Sequence, residues 1–311
     1  MIYTVTLNPA LDKTVEVPNM TLDAVNRVSA LRLDPGGKGV NVSKVIRALG
    51  GESVATALLA GACGRTVADA CAELGLTCDF TFTQGETRTN LKIVDRAAHT
   101  NTDINEPGIE ADGAVLEGML NRLLGRLRPG DIVVLAGSLP KGAPSTLYRD
   151  WTAACRAGGA KVFVDADGAG LAYALEAEPY LVKPNRQELA RLVGREPANM
   201  EETALAGRSL LRGAVRKVVV SLGEAGALFL TAEEGLWAHG LRVEVGSTVG
   251  AGDAMVAALA LSEDRGLGME ETVRLAVAAS AASVMCSGTQ AAERETVLAL
   301  APQVAFERLV G

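Results

Sequence analysis

Ser247-Thr248-Val249-Gly250-Ala251-Gly252-Asp253 is a glycine-rich turn that leads directly into an apolar helical run at 254–261. Free backbone N–H groups at a helix N-terminus, together with the helix dipole, favour a bound anion, and glycines let a phosphate approach closely. Asp253 beside this position could accept a proton from an attacking hydroxyl. An aspartate that only caps a helix after a tight turn has the same pattern, so the segment indicates phosphoryl transfer only with further support.

A second polar cluster lies in Val182-Lys183-Pro184-Asn185-Arg186-Gln187-Glu188. Asn185 and Glu188 are three residues apart at a predicted helix start and therefore face the same side. Their oxygens suit Mg²⁺, which keeps several waters and needs few protein ligands, so both residues could act through water on an ATP-bound ion. A helix-capping pair has the same spacing, and the residues alone leave both interpretations open.

A third segment, Asp34-Pro35-Gly36-Gly37-Lys38-Gly39-Val40-Asn41-Val42-Ser43, is another glycine-rich loop that leads into a helix. It exposes backbone and one lysine, and Lys38 and Asn41 are better placed for a polar, anionic substrate than for a nucleotide. The loop lacks the spacing of a P-loop, and no G-x-x-x-x-G-K-[ST] sequence occurs in the chain. Ordinary P-loop nucleotide binding is therefore not expected.

Short β-branched runs alternate with longer helical stretches from about residue 130 onward, which is the pattern of parallel strands joined by helices. We predict a three-layer α/β/α fold around a mostly parallel sheet, with the site beyond the carboxyl ends of the strands. The predicted strands are 131–136, 161–165, 180–182 and 217–221. The predicted helices are 144–157, 185–192, 201–212, 253–261 and 269–285; the last is Ala-rich, which favours close packing.

The first hundred residues do not show this alternation of strands and helices. Short runs in which polar and apolar residues alternate indicate exposed strands there. We interpret these runs as a small β-sheet lid, contributed by about 12–33 and 80–105 to a single domain spanning 1–311. Such a lid could cover a site and exclude water, although an ordinary excursion at the sheet edge has the same pattern. The predicted lid strands are 13–18, 26–33, 80–83, 89–95 and 101–105.

Composition narrows the class of protein. The chain has 311 residues, of which 48% are apolar and 22% charged, and a net charge of -7. The negative charge and the lack of a basic cluster argue against nucleic-acid binding, and the N-terminus resembles neither a signal peptide nor a membrane anchor. Five cysteines without a C-x-x-C pair and only two histidines favour buried thiols over disulfides or zinc. A globular cytoplasmic protein is expected.

Five motifs in order resemble the ribokinase-like (PfkB) carbohydrate kinases over essentially the whole chain, and in particular the branch that acts on phosphosugars. They are Thr6-Leu7-Asn8-Pro9-Ala10-Leu11-Asp12, Gly36-Gly37-Lys38-Gly39-Val40-Asn41-Val42, Gly137-Ser138-Leu139-Pro140, Lys183-Pro184-Asn185 and Thr248 to Asp253. The resemblance implies an ATP- and Mg²⁺-dependent phosphotransferase. It also implies a lid that pairs with a second subunit, and therefore a homodimer.

The resemblance also assigns roles. Asp253 would be the catalytic base, and Gly250, Ala251 and Gly252 would form the anion hole for the transition state. Asp12 and Asn41 would bind sugar hydroxyls, and Lys38 and Arg88 would hold the phosphate already on the sugar. Other expected contacts are Arg27, Gly37 and Asn90 for the sugar phosphate; Lys183, Asn185, Ser221, Gly223, Gly226 and Thr248 for the nucleotide; and Asn185 and Glu188 for magnesium, through water.

The run Arg88-Thr89-Asn90-Leu91-Lys92 resembles that of the family's fructose 1-phosphate kinases, which makes fructose 1-phosphate the expected substrate and fructose 1,6-bisphosphate the product. Tagatose 6-phosphate and fructose 6-phosphate remain alternatives because they share the phosphate contacts and the base. A non-catalytic sugar-phosphate sensor on the same fold is a remoter alternative, since fold alone does not decide function. A Rossmann dehydrogenase is disfavoured because no G-x-G-x-x-G follows the first strand.

Overall fold

The computed structural model describes residues 1–166 and 168–309. The predicted single domain, 1–311, therefore includes residues 167, 310 and 311, which lie outside the described part. The strands are β1 Ile2–Thr6, β2 Ala10–Val17, β3 Ala30–Gly36, β4 Ser53–Ala60, β5 Thr77–Thr83, β6 Arg88–Asp95, β7 Thr100–Asn105, β8 Ile132–Ala136, β9 Lys161–Asp165, β10 Leu181–Val182, β11 Lys217–Ser221, β12 Ala227–Leu230, β13 Gly235–Ala238 and β14 Phe306–Arg308.

Ten α-helices connect or follow these strands in the described residues. They are α1 Lys38–Ala48, α2 Gly61–Glu73, α3 Gly113–Leu124, α4 Leu147–Ala157, α5 Ala169–Glu176, α6 Arg186–Val193, α7 Met200–Arg208, α8 Ala251–Arg265, α9 Met269–Met285 and α10 Arg294–Leu300. Within 1–166 and 168–309, none of them is long and apolar enough to cross a membrane.

A ten-stranded sheet forms the middle layer, in the order β14-β13-β12-β11-β10-β9-β8-β1-β4-β5. The strands from β11 to β5 are parallel, and β12 to β14 extend the sheet in antiparallel fashion. Successive residues of β8 enter different cores: Ile132 and Val134 pack with α1, α8 and α9, whereas Val133 and Leu135 pack with α3 and α4. The predicted three-layer α/β/α fold is confirmed.

Small residues let the Ala-rich helix α9 approach α8 closely. Ala276, Ala278, Ala279 and Ala282 are almost fully buried in the same core as the apolar residues of α8. The alanine-rich pattern therefore serves helix packing, as predicted.

The small sheet has the order β3-β2-β6-β7 and is amphipathic. Residues directly opposite in neighbouring strands share a face, so the registers define two sets. One face carries polar side chains: Asp12, Thr14, Arg32, Asp34, Asn90, Lys92 and Asp103. The other carries mostly apolar ones: Val15, Leu31, Leu33, Leu91, Ile93 and Ile104.

The assignment of 80–83 to the lid is wrong. Thr77–Thr83 pairs in parallel with Ser53–Ala60 and forms the edge of the large sheet. The elements β4, α2 and β5 are therefore a further βαβ unit of that sheet. An edge strand is half exposed and therefore has the same alternating pattern as a lid strand. The small sheet is contributed by Ala10–Gly36 and Arg88–Asn105. The first segment extends beyond the predicted 12–33 at both ends, and the second starts later than the predicted 80–105 but ends at the same residue.

Candidate active site

A cavity of about 450 Å³ lies between the carboxyl ends of the parallel strands and the polar face of the lid. This is the edge where open α/β sheets bind ligands. Most of the predicted site residues meet there, although they come from distant parts of the chain. They are Asp12, Gly37, Lys38, Asn41, Arg88, Asn90, Lys183, Asn185, Glu188, Ser221, Gly250, Gly252 and Asp253.

Asp253 lies in the first turn of α8, and its side chain is buried. Gly250 precedes the helix with φ 88°, a left-handed conformation that favours glycine. The Asn41 amide nitrogen donates to Asp253 Oδ2 at 2.8 Å. Burial, with a smaller contribution from Asp165, raises the pKa of Asp253 to about 7, although Lys38, Asn41 and Lys183 oppose the shift. A carboxyl with such a pKa is suited to accept a proton near neutral pH.

Two lysines and a second carboxylate surround this group. Lys183 Nζ lies 3.3 Å from Asp165 Oδ1, and Lys38 Nζ lies 3.7 Å from the same oxygen. Burial alone would raise the pKa of Asp165, but the two lysines lower it below its usual value. A Cβ on Gly252 would lie 3.4 Å from Lys183 Nζ, so an anion at this helix start would contact the lysine as well.

The sugar-side residues present unused acceptors. Among the described residues, nothing donates to the buried amide oxygens of Asn41 and Asn90. Buried polar atoms usually have partners, so these two suit ligand hydroxyls. Arg88 is held by three backbone carbonyl oxygens, those of Asn8, Pro9 and Glu106.

Asn185 and Glu188 form a capping box at the start of α6. Asn185 Oδ1 accepts from the Glu188 backbone N–H at 2.9 Å, and Glu188 Oε2 accepts from the Asn185 backbone N–H at 2.8 Å. The capping interpretation is therefore confirmed. It does not remove a role in metal binding, because both residues line the cavity and each carboxylate or amide oxygen has a second lone pair.

Five predicted site residues do not line the cavity. Arg27 is exposed in the loop after β2, and Thr248 and Gly223 are also exposed. Gly226 is buried with φ 94°, and a Cβ there would lie 1.9 Å from the Ala238 carbonyl oxygen, so crowding of the backbone explains this glycine. Ala251 is the first residue of α8, between two glycines that do line the cavity.

Asp165, Asn8 and Thr289 line the cavity although they are not among the predicted site residues. Asp165 ends a buried parallel strand, and this position was the available signal. Asn90 and Lys92 lie two apart on one lid strand, so the sequence allows both to address a ligand or both to face solvent. Both line the cavity, and Lys92 donates to Ser247 Oγ at 3.2 Å, between the lid and the glycine-rich turn.

A glycine-rich helix start beside a buried carboxylate and paired lysines suits an enzyme that transfers phosphoryl groups to hydroxyls, and the comparisons with known proteins agree. The model of the pfkB family carbohydrate kinases matches residues 5–296. The 1-phosphofructokinase of Rhodobacter capsulatus is 41% identical over 309 residues, which cover 99% of this chain and 98% of that protein. The 1-phosphofructokinase of Bacillus subtilis is 34% identical over 311 residues, which cover 99% of this chain and 100% of that protein.

Solved structures give the same result. Phosphofructokinase-2 from Escherichia coli, in complex with substrates and products, superposes with a TM-score of 0.93 at 31% identity, covering 97% of this chain and 98% of that one. The chain belongs to the pfkB family of carbohydrate kinases. The resemblance seen in the sequence is thereby confirmed, together with the prediction of a phosphotransferase that acts on a sugar hydroxyl.

The raised pKa of Asp253 predicts that Asp253→Asn is more stable than the wild type at about pH 8, by at least about 1 kcal/mol. The folded state retains the Asp253 proton up to a pH of about 7, whereas the unfolded chain releases it near its ordinary value of 3.8. Ionisation therefore costs the wild type stability as the pH rises between these values. Urea unfolding of both proteins over this pH range measures the difference, which should vanish near pH 4; two parallel pH profiles would contradict the assignment.

Proposed function

We propose that this chain transfers the γ-phosphoryl group of ATP to the C6 hydroxyl of fructose 1-phosphate, giving fructose 1,6-bisphosphate. The observation that carries the proposal is the buried Asp253 carboxyl at the start of α8, within a cavity lined by lysines from the body and polar residues from the lid. The names of the Rhodobacter capsulatus and Bacillus subtilis relatives, both 1-phosphofructokinases, support the choice of substrate. Both substrates are charged metabolites, and a cytoplasmic location is part of the proposal.

In the proposed reaction, Asp253 accepts the proton of the sugar hydroxyl as that oxygen attacks the γ-phosphorus and the bond from this phosphorus to the bridging oxygen breaks, which releases ADP. The backbone N–H groups at 250–252 donate to the oxygens of the transferring group, because they lie at the positive end of α8. Lys183, beside Gly252, stabilises the same negative charge. Asn41 orients the Asp253 carboxyl through its amide nitrogen.

The sugar phosphate would lie under the lid. Asp12 and the unused amide oxygens of Asn41 and Asn90 accept hydrogen bonds from its hydroxyls. Arg88 and Lys38 bind the existing phosphate, and the carbonyl contacts of Arg88 hold the guanidinium in one orientation. Gly37, which also lines the cavity, lets the substrate approach the backbone.

On the nucleotide side, Asn185 and Glu188 would hold Mg²⁺ through water, and Lys183 and Ser221 would contact ATP. The donor set fits a magnesium ion, because it offers hard oxygens beside a cavity large enough for coordinated waters. When bound, the ion would neutralise charge on the ATP phosphates. Gly223, Gly226 and Thr248 lie outside the cavity lining and are not among the proposed nucleotide contacts.

A coupled ADP-release assay tests the substrate. We expect kcat/KM for fructose 1-phosphate to exceed that for fructose 6-phosphate and tagatose 6-phosphate by at least about tenfold, because a hydrogen-bonding site can discriminate between such isomers by one to a few kcal/mol. A higher kcat/KM for either competitor would assign the enzyme to that sugar instead. Asp253→Asn serves as the control and should lose about 10²-fold or more in kcat, whereas a sensor would release no ADP in either form.

Glu188→Gln separates the capping role from the metal role. Glutamine can still complete a capping box, so thermal stability should stay close to that of the wild type. The loss of the carboxylate charge should raise the Mg²⁺ concentration for half-maximal activity by about tenfold. A titration of activity against Mg²⁺ at fixed ATP measures this effect. An unchanged magnesium dependence would leave Glu188 with the capping role only.

We also propose that the apolar face of the lid pairs with the same face of a second copy, giving a homodimer. Leu31, Leu33 and Ile104 are 55%, 45% and 54% exposed on this face, and isolated chains rarely expose contiguous apolar patches without a partner. Because the opposite face lines the cavity, dimerisation would also hold the lid over the substrate.

Leu31→Glu should convert the dimer to monomer, because each copy would then bury an unpaired carboxylate in the apolar interface. Leu205→Glu is the matched control, since Leu205 in α7 is 58% exposed and does not belong to the lid. Sedimentation equilibrium gives the mass of each variant. A monomeric wild type, or a Leu31→Glu variant that remains dimeric, would contradict this interface.

A further inference from the structure

Lys44 is a buried cation that the proposed reaction does not use. Lys44 belongs to α1 and is only 7% exposed. Lys44 Nζ donates to the carbonyl oxygen of Pro35 at 2.9 Å and to Thr289 Oγ1 at 3.5 Å. Burying an ammonium group costs free energy unless hydrogen bonds or a counter-charge compensate, so the contacts of Lys44 must offset this cost.

The contacts of Thr289 decide which group donates and which accepts in the hydrogen bonds that start from Lys44. Thr289 Oγ1 lies 3.2 Å from Asp12 Oδ2. An ammonium group can only donate, so the Thr289 oxygen accepts from Lys44 and its single proton remains for Asp12. The hydrogen bonds therefore run from ammonium to hydroxyl to carboxylate, which favours the ionised form of Asp12.

The Asp12 carboxylate is held on its other sides as well. The Asn90 amide nitrogen donates to Asp12 Oδ1 at 3.0 Å, and a Cβ on Gly36 would lie 2.2 Å from Oδ2, so a larger residue at position 36 would displace the carboxylate. Burial raises the pKa of Asp12, with a small contribution from Asp34, whereas Asn90, Lys44 and Thr289 oppose that shift. The carboxylate is thus fixed in position by α1, the lid and the segment after α9.

We propose that Lys44 and Thr289 are positioning residues for the Asp12 carboxylate, and that they set the affinity for the ketose phosphate through it. This inference rests on the proposed function, in which Asp12 accepts hydrogen bonds from the sugar. An ionised carboxylate held in one orientation can accept from the sugar hydroxyls, whereas a protonated or rotated one would lose at least one of these bonds.

A different role for Thr289 would be to shape the anion hole, because a Cβ on Gly250 would lie 4.0 Å from Thr289 Cα. The two roles predict different kinetics. Positioning of Asp12 affects KM for the sugar phosphate, whereas support of the anion hole affects kcat with either substrate saturating.

A double-mutant cycle on Thr289 and Asp12 tests the proposal. Thr289→Val keeps the shape of the side chain but removes the hydroxyl, and should raise KM for the ketose phosphate by about tenfold, with KM for ATP and kcat changed less than about twofold. Thr289→Ser should restore the wild-type KM. In an Asp12→Asn background, Thr289→Val should have almost no further effect, because the charge on which it acts is gone.

Lys44→Met should also raise KM for the sugar phosphate, again without effect in the Asp12→Asn background. If Lys44→Met fails to fold in a thermal unfolding test, the Thr289 cycle decides alone. The proposal is overturned if Thr289→Val lowers kcat rather than raising this KM, or if its full effect persists with Asp12→Asn.

The cycle is measured with the ketose phosphate that the wild type uses best, and in parallel by calorimetric binding of fructose 1-phosphate. A wild type that binds this sugar without releasing ADP would overturn the proposed function, while the binding cycle would still decide the role of Lys44 and Thr289.

Discussion

Mutual pairing of buried charges at one edge of the sheet is the constraint on which the rest of the site depends. Asp165 lies between Lys38 and Lys183, and the same two lysines also act electrostatically on Asp253. Any one of these groups would be costly to bury alone. Four elements must therefore end or begin at the same place: β9 and β10 end there, and α1 and α8 begin there. The layered fold supplies this convergence, because parallel strands bring all their carboxyl ends to one edge.

The sequence predicts the central layers well because their signals are local. Short apolar runs followed by glycine, proline or asparagine are typical of buried parallel strands, and residues 161–165 and 217–221 form strands with the predicted bounds. Strand pairing is not a local property. Residues 80–83 have the alternating polarity of a half-exposed strand. No nearby residue indicates that this strand pairs with Ser53–Ala60 rather than with a lid strand.

The site divides in the same way. Glycine-rich turns at helix starts could be recognised, and with them Asp253 and Lys38. Asp165 carried no motif, since a single aspartate after a strand is common, and its importance comes from two lysines that approach from elsewhere. Thr289 meets Asp12 across 277 residues of chain, a contact that no local pattern encodes. Gly226 is a glycine that was assigned a ligand role but has a structural one. A glycine in a loop can allow a phosphate to approach or can relieve crowding of the backbone, and the sequence does not distinguish these two roles.

The route of the chain through the lid bears on how the protein acquires its function. The central lid strands, β2 and β6, pair in parallel although the contact between Asp12 and Asn90 spans 78 residues. Closing so large a loop costs conformational entropy, and this cost should fall once β4 and β5, which lie within the loop, have joined the large sheet. Formation of the lid is therefore expected to be a late step in folding. The lid should also be the first region to open under mild denaturant, as an independent low-stability unit. Loss of turnover would then precede loss of the helical circular dichroism signal, because the core layers can persist after the substrate cavity has come apart.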